Sequence, residues 1–353
     1  MDAIVIGAGP NGLAAAIELA RSGLQVRIYE ANATIGGGAR SGELTLPGFT
    51  HDICSAVHPL ALGSPFFSTL PLDQYGLEFI HSPIALAHPF DDGTAAILDT
   101  SIDTTSVKLG RDRAAYRELM TPFVEHWQDL ANDLLGPPRL PRHPLITTRF
   151  GIRAIRSAKS FAESTFQEDK TRALFAGLAA HSFLALDQLA TSAFGLVLGL
   201  LAHTNGWPVA KAGSQSVSNA LAAYFKDLGG EIFTNLRIES LSELPPARVI
   251  LCDLTPRQIV RIAGDSLPSR FRRKLTRYRY GPAAFKMDWA LNAPVPWRAP
   301  ECSQAATIHL GGSFAEILIS EKLANSGQHA EKPFIILCQP SLFDPSRAPQ
   351  GKH

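Results

Sequence analysis

The sequence predicts an α/β fold, and three observations in its first 41 residues carry that prediction. Asp2-Ala3-Ile4-Val5-Ile6, an apolar run with β-branched residues at its centre, reads as a strand. It turns through Gly7-Ala8-Gly9-Pro10-Asn11-Gly12 into Leu13 to Ala20, whose apolar spacing reads as a helix. A second strand, Gln25-Val26-Arg27-Ile28-Tyr29, ends on Glu30. An acid about 20 residues beyond a glycine turn of this kind completes the pattern of a dinucleotide-binding βαβ unit.

Each residue of the turn has a physical task. Gly7 permits the tight turn, Gly9 leaves room for a pyrophosphate against the backbone, and Gly12 lets the helix pack close to the strand. Pro10 and Asn11 open the helix, whose N–H groups and dipole attract phosphate charge. Glu30 is expected to accept hydrogen bonds from ribose hydroxyls and to disfavour a 2′-phosphate. A second glycine-rich turn, Gly36-Gly37-Gly38-Ala39-Arg40-Ser41, follows the acid directly. It lets the backbone approach another part of a long cofactor, with Arg40 placed to reach the pyrophosphate.

Composition narrows the class. A chain of 353 residues, 45% of them hydrophobic, is enough for two domains with cores of their own. The 33 Lys and Arg against 32 Asp and Glu leave a net charge of +1, so no global field draws nucleic acid or membrane. Cys54, Cys252, Cys302 and Cys338 are far apart, without a C-x-x-C pair, which argues against a thiol–disulfide relay and fits a reducing compartment. The first strand begins at residue 2, leaving no room for a targeting peptide, and the cytoplasm is the expected location. None of the 11 histidines falls in an H-E-x-x-H pattern and no G-x-S-x-G elbow occurs, so no metal and no serine hydrolase is expected.

Further along, Gly42 to Asp52 reads as a hairpin about Pro47-Gly48, and strands are expected near Leu77 to His81 and Ala95 to Leu98, with Asp91-Asp92-Gly93 as a turn. Helical spacing from Arg111 to Leu135 predicts one long helix stopped by Gly136-Pro137-Pro138, then a proline-rich linker from Pro138 to Pro144. The apolar region Ala173 to Ala202, broken by His181, Asp187 and Gln188, predicts buried helices, with membrane docking as the alternative. After Gly206 come a helix ending at Gly229-Gly230, strands at Glu231 to Phe233 and Leu236 to Leu241, a strand at Arg248 to Asp253 and a helix at Pro256 to Ala263. Arg270, Arg272, Arg273, Lys274, Arg277 and Arg279 form a basic run, read as a solvated connector or as a patch for an anionic partner or membrane surface. Tyr280 to Leu291 reads as a strand with Phe285, Met287, Trp289 and Leu291 on one face and Lys286, Asp288 and Ala290 on the other.

With its second glycine turn, the chain resembles the two-dinucleotide-binding-motif flavoproteins, the superfamily of amine oxidases and phytoene desaturases. Gly206 to Leu221, Thr255-Pro256-Arg257-Gln258, Tyr280 to Trp297, and His309 through Pro345 look most like its phytoene-desaturase-like or "pyridine nucleotide-disulfide oxidoreductase domain-containing" members. The resemblance implies FAD as cofactor and a split Rossmann-like FAD-binding domain, residues 1–69 and 207–265. A mixed α+β substrate domain takes residues 70–206, mainly helical, and 266–353. It implies that Gly7, Gly9, Pro10, Asn11, Gly12, Glu30, Gly37, Gly38, Arg40 and Ser41 hold the cofactor, and that Ile238 offers backbone groups to adenine. Lys286 is the implied catalytic residue, holding a water beside flavin N5, with an ion pair to Asp288 or simple exposure as its alternative. Asp288 and Trp289 rank next, and His51-Asp52, His58 and His309 are further polar candidates, a turn or core role being the competing reading for each.

The implied activity is FAD-dependent hydride abstraction from an apolar organic substrate, as a dehydrogenase, desaturase or oxidase, with amine oxidation as an alternative. One complete GxGxxG implies a diffusing electron acceptor: oxygen, a quinone or a nicotinamide. No nucleic acid is expected as a partner, while peripheral membrane contact is compatible with an apolar substrate. Related flavoproteins close their FAD domain with a C-terminal glycine-rich segment, whereas this sequence stops at Gly351-Lys352-His353. The expectation is therefore an unfinished flavin site, and a catalytically incomplete dinucleotide-binding fragment or interaction protein stands as the second alternative.

Overall fold

The computed structural model describes residues 1–137 and 139–353; Pro138, part of the predicted helix stop and linker, lies outside the described residues. The chain forms two compact units. One comprises Met1–Ala56, Pro71–Phe79 and Ala210–Tyr280, the other Val57–Leu70, Ile80–Val209 and Gly281–His353. The division runs differently from the sequence-based one: 57–69 and 207–209 join the second unit, 71–79 and 266–280 the first. Residues 71–79 are tied down by Tyr75, whose hydroxyl donates to Asp227 at 2.6 Å, and by Glu78, paired with Lys211 at 2.7 Å.

The first unit is built on a parallel sheet in which Ala3–Ile6 lies between Val26–Tyr29 and Val249–Cys252, with Glu231–Phe233 beyond Val26–Tyr29. Ala3, Ile4 and Val5 are fully buried, as expected for a central parallel strand covered on both faces. The helix Pro10–Arg21 buries Leu13, Ala16, Ile17 and Ala20 on one stripe and packs against the helix Gln215–Asp227. Ser41–Glu43 and Thr50–Asp52 pair as the predicted hairpin. The strand expected at 236–241 is not formed. Asn235 takes φ +55, and the Leu236 N–H then bonds the Glu30 carbonyl at 2.9 Å, so the chain turns away across the sheet edge.

The second unit has a mixed sheet in the order Ala95–Leu98, Ile84–Pro89, Ala305–Leu310, Ile335–Cys338, in which only the central pair is parallel. Helices pack on it around a core that includes Phe123, Phe161, Phe166 and Phe175. Asp169–Ala180 and Thr191–Asn205, which overlap the apolar region 173–202, are largely buried in that core. No helix among the described residues is long and apolar enough to cross a membrane.

Two elements depart from prediction here. The long helix expected at 111–135 is split into Arg113–Glu125 and Trp127–Leu134 by His126, at φ −112° and ψ 22°, four residues after Pro122 has removed one rung of the ladder. The strand expected at Tyr280 to Leu291 is absent. No neighbouring strand completes a ladder with it among the described residues; Leu291 pairs instead with His353, N to O in both directions at 2.6 and 3.0 Å. Its apolar alternation therefore buries neither face, and Phe285 is 89% exposed.

Candidate dinucleotide site

In the first unit the C-terminal ends of Ala3–Ile6, Val26–Tyr29 and Val249–Cys252 meet at one edge of the sheet, where the open parallel sheets of α/β proteins bind ligands. Gly7 leaves the first strand at φ +106, and a side chain there would meet the Asp253 carbonyl at 2.6 Å. Gly12 has no room for a Cβ, which would run into the Gly7 carbonyl oxygen, so the helix sits against the turn as closely as backbone allows. The second glycine turn folds back on the first. The Gly36 N–H donates to Ala8 O at 2.8 Å, and a Cβ on Gly37 would come within 3.1 Å of Gly9 Cα. Two bare stretches of backbone thus face each other beside a helix start, a cradle that side chains at 9 and 37 would fill.

Glu30 is buried and ties the region together. Its Oε2 accepts from the Ala8 N–H at 2.9 Å, and its Oε1 accepts from Asn32 N at 2.8 Å and Asn32 Nδ2 at 2.7 Å. The carboxylate thus fixes the first turn and the backbone at Asn32 on one side of the cavity. Beside it lies a cavity of about 270 Å³ lined by Gly7, Gly9, Glu30, Gly37, Ile238 and Asp253, among others. Ile238 packs on Ile4, Ile6 and Ile262 to form its apolar floor. Arg237 and Arg261 stand at its wall, Arg261 held to Glu239 at 2.9 Å.

Not every residue of the expected set faces this cavity. Pro10 and Asn11 form the first turn of the helix beside it, with Asn11 exposed. Gly38 stands against Cys54, 3.8 Å from where its Cβ would be. Arg40 donates through Nε to the Gly37 carbonyl at 2.8 Å, bracing the second turn. Ser41 donates to Asp52 at 2.7 Å, and its hydroxyl accepts from Gln215 N at 3.0 Å; Asp52 also accepts from Ser214 N at 2.7 Å. This pair anchors the hairpin to the start of the helix Gln215–Asp227, where a carboxylate is favoured by the helix dipole. His51 bonds Thr45 at 2.7 Å. Lys286 lies in the second unit, ion-paired with Asp288.

Asp253 escaped the sequence reading. It ends the strand Val249–Cys252, and its Oδ2 accepts from Gly12 N at 2.9 Å, supplying the cap that Gly9, without a side chain, cannot. The legible signal was positional: a strand parallel to the first must deliver its last residue beside the glycine turn.

A separate polar cluster sits inside the second unit. His88 and His309 are fully buried on adjacent strands, and His309 Nε2 meets His181 Nε2 at 3.0 Å. His88 Nε2 donates to Gly312 O at 2.8 Å, which fixes its tautomer with Nδ1 as the bare acceptor. Burial holds all three imidazoles below the ordinary histidine range, His181 down to about 4.

Comparison with known proteins agrees with this geometry. Residues 5–64 match a family described as NAD(P)-binding Rossmann-like domain. Pyridine nucleotide-disulfide oxidoreductase domain-containing protein 2 of Mus musculus is 25% identical over all of this chain and 72% of its own length. A neurosporene-forming phytoene desaturase of Rhodobacter capsulatus is 24% identical over 99% of this chain and 70% of its own. An oxidoreductase from Methanosarcina mazei has the same fold, with a TM-score of 0.62 at 15% identity, covering 100% of this chain and 77% of that one. Residues 5–64 are therefore similar to an NAD(P)-binding Rossmann-like domain, and nearly the whole chain is similar to a pyridine nucleotide-disulfide oxidoreductase domain-containing protein and to a phytoene desaturase.

Proposed function

We propose that this chain is an FAD-dependent oxidoreductase that removes hydride from an apolar organic molecule. The observation that carries the reading is the second glycine turn packed against the first, with Gly37 closing on Gly9. A single turn suffices for one phosphate pair at a helix start, and the doubled backbone cradle suits the longer grip of a flavin dinucleotide. When bound, the flavin supplies hydride acceptance at N5 and return of the electrons to an external acceptor. The protein's part is binding and orientation. The glycine turns and the start of Pro10–Arg21 hold the pyrophosphate, Glu30 orients the ribose, and the backbone at Ile238 meets adenine.

The apolar substrate follows the phytoene desaturase relatives, and the acceptor is oxygen, a quinone or a nicotinamide. The wide spacing of Cys54, Cys252, Cys302 and Cys338, without a C-x-x-C pair, suits a cytoplasmic setting, and peripheral contact with a membrane suits the substrate. Amine oxidation is the second reading, and Lys286 favours it. Anaerobic addition of a polyene to flavin-loaded protein is expected to bleach the visible bands; bleaching by primary amines alone would move the assignment to the second reading.

We assign Lys286 a part in the reaction. Lys286→Met is expected to slow flavin reduction by about a hundredfold or more while leaving flavin content unchanged. Single-turnover kinetics test it, and an unaltered rate removes Lys286 from the mechanism and leaves it as the partner of Asp288.

A further inference from the structure

The structure assigns a membrane-binding face to the helix Pro144–Ala154 in the second unit, a surface for anionic lipid headgroups. This helix buries Phe150 and Ala154 and turns apolar side chains to solvent. Leu145 is 88% exposed, and Ile152, two turns on along the same face, is 64% exposed. Ile155, which caps the helix, is exposed to the same degree, and its carbonyl accepts from the Ala190 N–H at 2.9 Å, bringing exposed Leu189 alongside.

Cations frame this apolar strip. From residue 134 to 162 the sequence has Arg139, Arg142, Arg149, Arg153, Arg156 and Lys159 and not one Asp or Glu, in a chain whose net charge is only +1. Three of the arginines are held in place: Arg149 and Arg153 lie over the Phe123 ring at 5.9 and 5.7 Å, and Arg156 over Phe161 at 5.4 Å. Asp133, the carboxylate preceding the stretch, is taken up by the N–H groups of Arg142 and His143 and the Thr147 hydroxyl.

Outward leucine and isoleucine flanked by arginine is the composition of a helix lying in a bilayer interface, with apolar side chains below the headgroups and guanidinium groups among the phosphates. A protein partner would need its own acidic, apolar groove; an anionic bilayer supplies both features over its whole area. The exposed basic helix Ser269–Thr276 turns one large apolar side chain, Phe271, to solvent, and the helices Asp169–Ala180 and Thr191–Asn205 are largely buried, so neither offers the combination.

Co-sedimentation of the full chain, without added flavin, tests the assignment with phosphatidylcholine vesicles and with vesicles containing 30% phosphatidylglycerol. Binding to the anionic vesicles is expected to fall at least about tenfold in the doubly substituted I152D/I155D protein and in R149E/R153E, and to weaken as salt rises. R272E/R273E, on the other basic helix, is expected to bind as the parent does. Circular dichroism of these surface variants guards against misfolding. Binding that ignores lipid charge and both helix variants overturns the assignment, as does self-association through this face without vesicle binding. Because no flavin enters the assay, its failure and that of the oxidoreductase reading are separable.

Discussion

Glu30→Ala is expected to release the cofactor and loosen the first turn at once. The carboxylate accepts from Ala8 N, Asn32 N and Asn32 Nδ2, and Glu30 is only 7% exposed. Removing it leaves the buried Ala8 N–H without an acceptor, at a cost on the order of 1–3 kcal/mol. Because Ala8 lies between Gly7 and Gly9, that loss falls on the geometry that is to hold the pyrophosphate. Flavin content after gel filtration should drop about tenfold or more, accompanied by a lower melting temperature. Glu30→Gln keeps one carbonyl acceptor and should fall between. Full flavin retention in Glu30→Ala would remove this residue from the site.

The second large effect is acid lability of the second unit. His181, held down to about 4 by burial, ordinarily titrates near 6.5. The unfolded chain therefore binds a proton that the folded chain refuses between these values, and stability, complete above about pH 6.5, is lost as pH falls. For His181 alone the loss is on the order of 2 kcal/mol by pH 5 and approaches ~3 near pH 4. His309 adds to it, since burial and the neighbouring His181 and His88 all oppose its charge; for His88, Asp169 and the Gly312 carbonyl offset part of the burial. Trp207 stands edge-on to His181 at 5.7 Å, so urea denaturation followed by tryptophan fluorescence at pH 7 and pH 5 reads this region. His181→Gln should flatten the pH dependence, whereas a wild-type midpoint that does not move between pH 7 and 5 would contradict it.

Local chemistry was legible where the backbone itself is specified. Gly7 and Gly12 announced a strand–turn–helix unit because no other residue fits where the Cβ would strike Asp253 O or Gly7 O. Pro47-Gly48 similarly fixed the hairpin. The strands Ile84–Pro89 and Ala305–Leu310 were not read, because five of six residues in each are buried and neither alternates. Their parallel register sets Ile308 opposite Ala87, which brings His309 beside His88 from far away in the sequence. No spacing rule could anticipate that meeting, nor the arrival of Asp253 at Gly12. The converse error arose at Phe285, Met287 and Trp289, where alternation suggested a strand and no partner strand among the described residues accepts it. Ala212 keeps a Cβ at φ +60, a left-handed backbone that side-chain-bearing residues seldom adopt and that its sequence did not announce.

The visible spectrum of the chain, purified without added cofactor and then denatured to release any nucleotide, tests the central claim most directly. The account predicts flavin bands and released FAD in near-stoichiometric amount, held by the cradle of Gly9, Gly37 and Glu30. A colourless protein that also fails to take up added FAD, or one that releases a nicotinamide dinucleotide, would contradict it.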